Sequence, residues 1–253
     1  MRKRQILAKP DTKVRLLRSA EELFVAHGID AVSMREINRH AGQRNASSLH
    51  YHFKSLINLL EALIDWRMPP VDQRRVTLMQ SYAMAPQDER LQRLAEAVVL
   101  PLAETIAETG PPNLWVRLHA RIYQTDSFDF AATFHAKAYD RGLLLVRKAM
   151  RQLHPDAPRL SLDQRLMLAV RLAVYALADW QRGVLPRQSL VAVDDFEVFL
   201  GNLLGMIGAA LTAPLPLPSM DVADAAVSAP PALTKRSAGS AASRRCQQGA
   251  TKG

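Results

Sequence analysis

The sequence predicts an all-α protein in two parts, a small N-terminal three-helix unit followed by a larger helical region. Apolar residues recur every three or four positions, and Gly or Pro separates the segments that show this spacing. Long runs of alternating apolar and polar residues, which would indicate strands, are absent from the sequence. Positive charge is also concentrated at the N-terminus, which sets the first part apart from the second.

The charge distribution predicts that residues 1–60, called the head below, bind a polyanion. Residues 1–60 contain 11 Lys and Arg against 5 Asp and Glu, whereas residues 61–212 contain 17 of each kind. The last segment, 213–253, has 5 basic and 2 acidic residues, so the total of +9 comes from the two ends of the chain. A basic excess of this kind favours nucleic acid as a partner, although it can also occur without one.

Composition excludes several other classes. An apolar content of 48% is sufficient for a core, yet no uninterrupted apolar run is long enough to span a membrane. The basic start, residues 1–4, is not followed by the apolar segment of a secretory signal. Cys246 is the single cysteine, which rules out an internal disulfide and a cysteine-based zinc site. We therefore expect a cytoplasmic protein that does not bind a membrane.

The first two helices have clear end signals. Apolar residues predict a helix from Asp11 to His27, and Gly28 is placed to end it. Ser33 then begins a second helix, which is expected to run to about His40. Glu36 stands three residues after Ser33, which is the spacing of a capping box.

Two further helices follow closely. Asn45 is a suitable N-cap for a third short helix over residues 46–53. A fourth helix is predicted to begin near Ser55 and to end or kink at Met68-Pro69-Pro70, because two prolines remove backbone donors and crowd the preceding turn.

The rest of the chain shows the same alternation of helical spacing and breakers until residue 213. From there the sequence is rich in Pro, Ala and Ser, which predicts a disordered tail. The expected domains are therefore 1–54, 55–212 and the tail 213–253. The additional predicted helices are 71–84, 88–109 with a kink at Pro101, 112–124, 127–153, 161–183 and 192–212.

The second and third helices, joined by a short turn containing Gly42, form a helix-turn-helix pattern. On the third helix Leu49 and Phe53 fall on one side and are expected to be buried. The opposite side carries short or flat hydrogen-bonding groups, which suit base edges and phosphate oxygens in a major groove. The candidate DNA-binding residues are Arg35, Arg44, Asn45, Ser47, Ser48, His50, Tyr51 and Lys54. A three-helix unit whose polar face only meets solvent is the plain alternative.

Residues 12–60 resemble the N-terminal domain of the TetR family. The likeness rests on the end of the first helix (Ala20, Leu23-Phe24 and Gly28), on the start Ser33-Met34-Arg35-Glu36-Ile37, on Ala41-Gly42, and on Leu49-His50-Tyr51-His52-Phe53. The resemblance implies a homodimeric repressor that binds a near-palindromic double-stranded DNA operator and is released by a small apolar effector. It places Ser47, Ser48 and His50 at base-reading positions, and Tyr51 and Lys54 at backbone contacts.

Two departures from the common pattern concern DNA contacts. The turn Gly42-Gln43-Arg44-Asn45 is one residue longer than usual and resembles that of a subgroup with a GQRNxS turn. Leu56 occupies a position where the family often has lysine, so one phosphate contact is expected to be missing or to be made by Lys54.

The resemblance also implies that the last two helices pair with those of a second subunit. Two apolar stripes agree with this expectation, and the small residues Gly201, Gly205 and Gly208 would permit close approach. Two ordinary core helices are the alternative. The stripes are Leu166, Val170, Ala173, Leu177 and Trp180, and Phe196, Phe199, Leu203, Ile207 and Ala210.

An effector cavity is expected where aromatic and polar residues mix in the second part, because ligand pockets combine apolar walls with a few polar groups. Each such residue could equally be ordinary core. By resemblance the fourth helix would transmit ligand binding to the DNA-binding unit, with Pro69-Pro70 as its pivot. Hydrophobic acyl chains, steroids and aromatic xenobiotics are candidate effectors, and a lipid-like molecule or its coenzyme A thioester is favoured. The candidate ligand-binding residues are Trp115, His119, Tyr123, Phe128, Phe134, His135 and Tyr139.

Other classes of function have less support. The sequence lacks a nucleophile elbow, a phosphate-binding glycine loop and the HExxH motif, so no enzyme is expected. His50 and His52 lie two residues apart on a helix and diverge by about 200°, which prevents them from sharing a metal ion. No cofactor is expected. A DNA-bound structural or partner-recruiting protein of the same fold, without a small ligand, remains the alternative.

Overall fold

The computed structural model describes residues 12–43, 48–106, 112–184 and 195–214, with the backbone alone for residues 48–50. This part of the chain contains ten helices and no strand, which confirms the all-α prediction. The predicted tail lies outside the described residues. The helices are α1 Thr12–His27, α2 Met34–His40, α3 Ser48–Phe53, α4 Leu56–Met84, α5 Arg90–Ile106, α6 Trp115–Ile122, α7 Phe130–Ala136, α8 Arg141–Leu153, α9 Arg159–Gln181 and α10 Phe196–Thr212.

The cap of α2 is formed as the sequence predicts. The backbone N–H of Glu36 donates to Ser33 Oγ at 3.3 Å, and the Ser33 N–H donates to Glu36 Oε2 at 2.8 Å. Gly42 ends this helix in the left-handed region with a φ of 65°, and its N–H donates to the Arg39 carbonyl at 3.0 Å. The capping box is therefore confirmed, and a glycine is needed at the end of α2.

Of the two outcomes predicted for Pro69-Pro70, an end or a kink of the fourth helix, the end is wrong. Helix α4 runs unbroken over 29 residues and contains both prolines. Both rings are exposed, so the carbonyls that lose their N–H partners can face water. On the opposite side Met68 and Val71 are buried, and this packing offsets the cost of interior proline, about 3 kcal/mol each. The segment predicted as a separate helix, 71–84, is the second half of α4.

The prediction of one helix over 127–153 is also wrong, because α7 and α8 are separate helices. Ala138 adopts a positive φ of 54° and its N–H donates to the His135 carbonyl at 3.1 Å. The Tyr139 N–H donates to the Phe134 carbonyl at 3.0 Å, which completes a helix-ending motif normally marked by glycine. Since alanine fills the left-handed position here, the sequence gives no glycine signal for the break.

The large helical body is built around α4, α5 and α9. Helix α4 packs against α5 and α8, and α9 packs against α5, α6 and α10. The stripe predicted to face a second subunit is instead largely core of this chain, since Leu166, Val170, Ala173 and Leu177 are buried. Leu203 and Ile207 of α10 are buried as well, whereas Phe196 and Phe199 are half-buried and Ala210 is exposed, so the second stripe follows the core alternative only in part. Pro101 lies inside α5, which continues through it.

Three sets of contacts join the N-terminal helices to the body. Arg67 of α4 makes two hydrogen bonds to Glu21 of α1, at 3.0 and 2.6 Å. The Arg121 guanidinium donates to the carbonyl of Val25 at 3.4 Å. The described residues belong to one compact unit, which ends at Pro214. A boundary between domains at 54/55 stays a prediction.

The third set of contacts lies at the loop after α6. Thr125 and Ser127 donate from their hydroxyls to the Asp30 carboxylate, at 2.8 and 2.6 Å, and these bonds lower the pKa of Asp30. None of the helices in the described ranges is long and apolar enough to cross a membrane.

Candidate DNA-binding surface and ligand cavity

Three of the predicted DNA-binding residues have described side chains, and all three are exposed. Arg35 lies on α2, Tyr51 on α3 is 83% exposed, and Lys54 follows α3 directly. Phe53 on the same helix is buried, as the helical wheel predicts. Arg44, Asn45 and Ser47 lie outside the described residues, as do the side chains of Ser48 and His50.

Two basic or polar residues that the sequence analysis did not select lie beside Lys54. Lys13 at the start of α1 and His52 on α3 line a shallow depression together with Lys54 and Asn58. Lys54 has a φ of 63°, so its side chain leaves from a left-handed backbone position between α3 and α4. Lys13 lies far from the helix-turn-helix in the sequence. Its positive charge was the only sequence feature that could have predicted a place on the DNA-binding surface.

The helical body contains a cavity of about 360 Å³, at the lower end of the range of about 300–1,000 Å³ for ligand pockets. Residues from α4, α5, α6, α7, α8 and α9 and from the loop after α6 form its wall. The lining residues are Met68, Arg75, Leu102, His119, Ile122, Tyr123, Thr125, Phe128, Asp129, Phe130, Ala131, Phe134, Asp140, Leu143, Met167, Val170 and Arg171.

Four of the seven predicted ligand-binding residues line this cavity: His119, Tyr123, Phe128 and Phe134. The other three are placed elsewhere. Trp115 is fully buried behind His119, with ring centroids 5.2 Å apart. His135 projects outward toward Asp140 at 3.1 Å, and Tyr139 donates from its hydroxyl to Asp65 at 2.9 Å.

His119 is buried in the middle of an aromatic cluster. Its ring centroid lies 4.8 Å from those of both Tyr123 and Phe130. Neither ring nitrogen has a hydrogen-bond partner among the described residues. Burial, reinforced by the positive charge of Arg75, lowers the pKa of His119 to about 3. The imidazole is therefore neutral at physiological pH and offers one donor and one acceptor.

Arg75 is the main cavity residue that the sequence analysis missed. Its side chain is 2% exposed, and burial lowers its pKa to about 10, so the guanidinium remains charged at neutral pH. Nε donates to the Ala97 carbonyl at 3.0 Å, whereas Nη1 has no partner in the described part of the chain. Arg75 falls on the same face of the helix as Met68 and Val71, and this spacing in the sequence could have predicted that its charge is buried.

The stem of Arg75 is fixed by a close backbone approach. A Cβ at position 142 would lie 2.7 Å from both Cβ and Cγ of Arg75, so only glycine fits there. Gly142 is itself held by Asp72, whose Oδ1 accepts from its N–H at 2.8 Å. The other carboxylate oxygen of Asp72 accepts from Arg141 at 3.1 Å. Asp72 is thus used in fixing α8, and no ion pair joins it to Arg75.

These observations define a helical protein with a helix-turn-helix at one end and a cavity in its body. Sequence comparison agrees over both parts. Residues 16–63 match the profile described as bacterial regulatory proteins, tetR family, and residues 96–210 match the tetracyclin repressor-like C-terminal domain. The chain therefore belongs to the TetR family, and it is a DNA-binding transcription regulator rather than an enzyme.

Solved structures of the same fold include a repressor and a regulator of fatty acid degradation. NalD, the secondary repressor of the MexAB-OprM multidrug efflux pump in Pseudomonas aeruginosa, matches with a TM-score of 0.52 and 19% identity, over 79% of this chain and 94% of NalD. The fatty acid degradation regulator FadR from Bacillus halodurans matches with a TM-score of 0.52 and 13% identity, over 80% of this chain and 98% of FadR. At these identities the likeness establishes the fold. A search of curated proteins finds no match.

We expect His119→Phe to make the protein less sensitive to mild acid. The folded-state pKa of His119, about 3, lies below the unfolded value of about 6.5. Between these values the unfolded chain binds more protons, so the free energy of unfolding decreases as the pH falls below about 6.5. One such group removes up to about 2 kcal/mol by about pH 5.

Urea denaturation of the wild type and the variant, at about pH 7 and about pH 5, measures this difference. His135→Gln is the matched control, because it removes an imidazole that is 79% exposed instead of a buried one. Equal losses of stability in the wild type and in His119→Phe would contradict a buried neutral imidazole.

Proposed function

We propose that this chain is a homodimeric, ligand-responsive repressor that binds a near-palindromic operator and is released by a small, mainly apolar effector held in the cavity. The observation that supports it most directly is the course of α4. This helix begins three residues after α3 and contributes Met68 and Arg75 to the cavity wall. One rigid element therefore contacts both the recognition helix and the ligand space.

A second contact between cavity and head supports the same mechanism. Thr125 lines the cavity and also donates to Asp30, in the segment between α1 and α2. A ligand that displaces Phe128 or Thr125 would act on the head through this loop as well as through α4. The pivot expected at Pro69-Pro70 is not needed, because α4 can move as one body.

Release requires that the effector distinguish two states. A dimer binds DNA when its two recognition helices are about 34–36 Å apart, or a multiple of this distance. To reverse a 99:1 preference for that spacing, the effector must bind the other state more tightly by about 5.5 kcal/mol. Filling an apolar cavity that closes in one state and opens in the other is a physical source of such a difference.

We expect Tyr123→Trp, which adds volume to the cavity wall, to weaken both effector binding and effector-dependent release from the operator. The measurement is fluorescence anisotropy of an operator selected from random DNA, titrated with a library of apolar compounds. Tyr175→Trp is the matched control, because Tyr175 is half-buried and lies outside the cavity lining.

If no compound releases the wild-type protein, or if Tyr123→Trp is released as readily as the wild type, the effector mechanism through this cavity is wrong. The alternative, a DNA-bound protein that recruits a partner without a small ligand, would then be favoured.

The proposed contacts of the head divide into phosphate binders and base readers. Tyr51 and Lys54 are proposed to hold the backbone, and Ser48 and His50 to read bases. Lys54→Asn should weaken all operator variants alike and reduce the slope of log K against log salt by about 0.9 for each of the two subunits. Asparagine is the appropriate replacement, because it tolerates the left-handed backbone of Lys54 without charge.

Lys148→Asn serves as the control, since Lys148 is exposed on α8 of the body. His50→Ala should instead change the ranking of operator variants, by about 1–3 kcal/mol at the positions it reads. The assignment would be refuted by a uniform loss in His50→Ala, or by an unchanged salt slope in Lys54→Asn.

For the dimer we propose a face different from the two predicted stripes. Leu168 on α9 and Met206 on α10 are 67% and 60% exposed. Gly201 and Gly205 have no atom within 4 Å of an added Cβ, so the surface beside Met206 is open to a partner helix. An apolar patch of this kind on two adjacent helices is typical of an interface between copies.

We expect Met206→Glu to convert the dimer to a monomer, because two-fold symmetry brings the new carboxylate into an apolar interface from both chains. Sedimentation velocity measures the change. Met84→Glu, at an 87% exposed position at the end of α4, should leave the dimer intact. A stable dimer in Met206→Glu would show that another surface joins the subunits.

A further inference from the structure

We propose that the effector is a small carboxylic acid with an apolar body, and that Arg75 binds its carboxylate inside the cavity while His119 donates a second hydrogen bond. This inference rests on the proposed function, since it names the chemical class of the molecule that occupies the cavity.

Arg75 is a buried cation with an unused hydrogen-bond donor. Arg75 Nη1 is buried without a partner in the described residues, although the Nε of the same group donates to Ala97. The buried Asp72 carboxylate favours this charge without forming an ion pair with it, and a ligand carboxylate would stabilise the charge further with charge-assisted hydrogen bonds. Asp72 does not bind Nη1 itself, because its oxygens accept from Gly142 and Arg141.

The Arg75 guanidinium is held in place without any ligand. Gly142 leaves no room for the Arg75 stem to move toward α8, and the bond from Nε to the Ala97 carbonyl fixes the guanidinium itself. A fixed donor loses little entropy on binding, which is the condition for recognising a small anion. A side chain that only filled space would not need a charged end.

The neighbouring imidazole of His119 offers a second donor. His119 and Arg75 line the same cavity, and both ring nitrogens of His119 are buried without a partner. A neutral imidazole can donate from one nitrogen, so a carboxylate can accept from His119 and Arg75 at the same time. Leaving such groups buried and unpaired is costly, and a bound carboxylate would recover that cost.

The other residues of the cavity wall determine which apolar body the ligand can have. Most of it is apolar or aromatic, with Leu102, Ile122, Phe134 and Val170 among its residues. The volume of about 360 Å³ suits a medium acyl chain or a single aryl group. It does not suit a coenzyme A thioester, which has several phosphate charges and far greater size. The site therefore favours a free acid over the thioester.

The test compares carboxylates with amides of the same skeleton, using the full chain and isothermal titration calorimetry. Octanoate and cinnamate are the probes, and octanamide and cinnamamide are their neutral counterparts. At least one carboxylate should bind about tenfold or more tightly than its amide, as a charge-assisted bond in a buried site predicts. In Arg75→Met this preference should vanish, while the amide still binds.

Arg74→Met is the matched control, because Arg74 is the preceding residue on α4 and pairs with Glu104 outside the cavity. It should keep the preference for the carboxylate. If Arg75→Met does not fold, Arg75→Lys retains the charge but loses the planar fork, and it should prefer carboxylates more weakly than the wild type.

The inference is overturned if the amides bind as tightly as the acids, if the preference survives in Arg75→Met, or if none of the four probes binds. Operator release, measured separately with the same compounds, tests the proposed function. Acids that bind through Arg75 without releasing DNA would contradict the effector mechanism alone. Amides that release DNA as well as acids do would contradict the role of Arg75 alone.

Discussion

Charged side chains on α4, placed on either side of the Pro69-Pro70 pair, join this helix to α1 and to α8. Before the prolines Arg67 binds Glu21 of α1, and after them Asp72 binds the first turn of α8. The Arg67–Glu21 ion pair is largely buried, and removing one partner of such a pair typically costs about 3–5 kcal/mol. The helix therefore stays continuous at a point where its own backbone is weakest. The same helix therefore contacts α1 and contributes to the cavity wall.

The polar groups of the cavity do not serve stability in the usual way. Core packing alone would favour an apolar residue at position 75, yet the chain places an arginine there and a glycine at 142 to accommodate its stem. His119 lies among aromatic rings with both nitrogens unpaired. Such departures from a well-satisfied core tend to occur where a protein binds something. The cavity therefore combines apolar walls with a small number of fixed polar groups.

Local signals in the sequence were reliable where the structure depends on neighbouring residues alone. Ser33 and Glu36 cap α2 as predicted, because the capping box needs only four consecutive residues. The effect of Pro69-Pro70 was misjudged, since packing of α4 against α5 and α8 outweighs the local preference. Which aromatic residues line the cavity was predicted only in part. Trp115 and His119 are one helical turn apart, and only the tertiary arrangement decides that one lies behind the other.

If the cavity holds a ligand as proposed, the unpaired atoms of Arg75 and His119 would also affect how long the protein lasts in a cell. An empty cavity leaves these groups unsatisfied, so the chain without ligand unfolds locally more often than the occupied one. A compound at about a hundred times its dissociation constant adds about 2.7 kcal/mol of stability. Because proteases degrade the opened chain, a difference of this size changes abundance several-fold. The compound that lifts repression would thus also protect the regulator from degradation, and repression would return quickly once the compound is consumed.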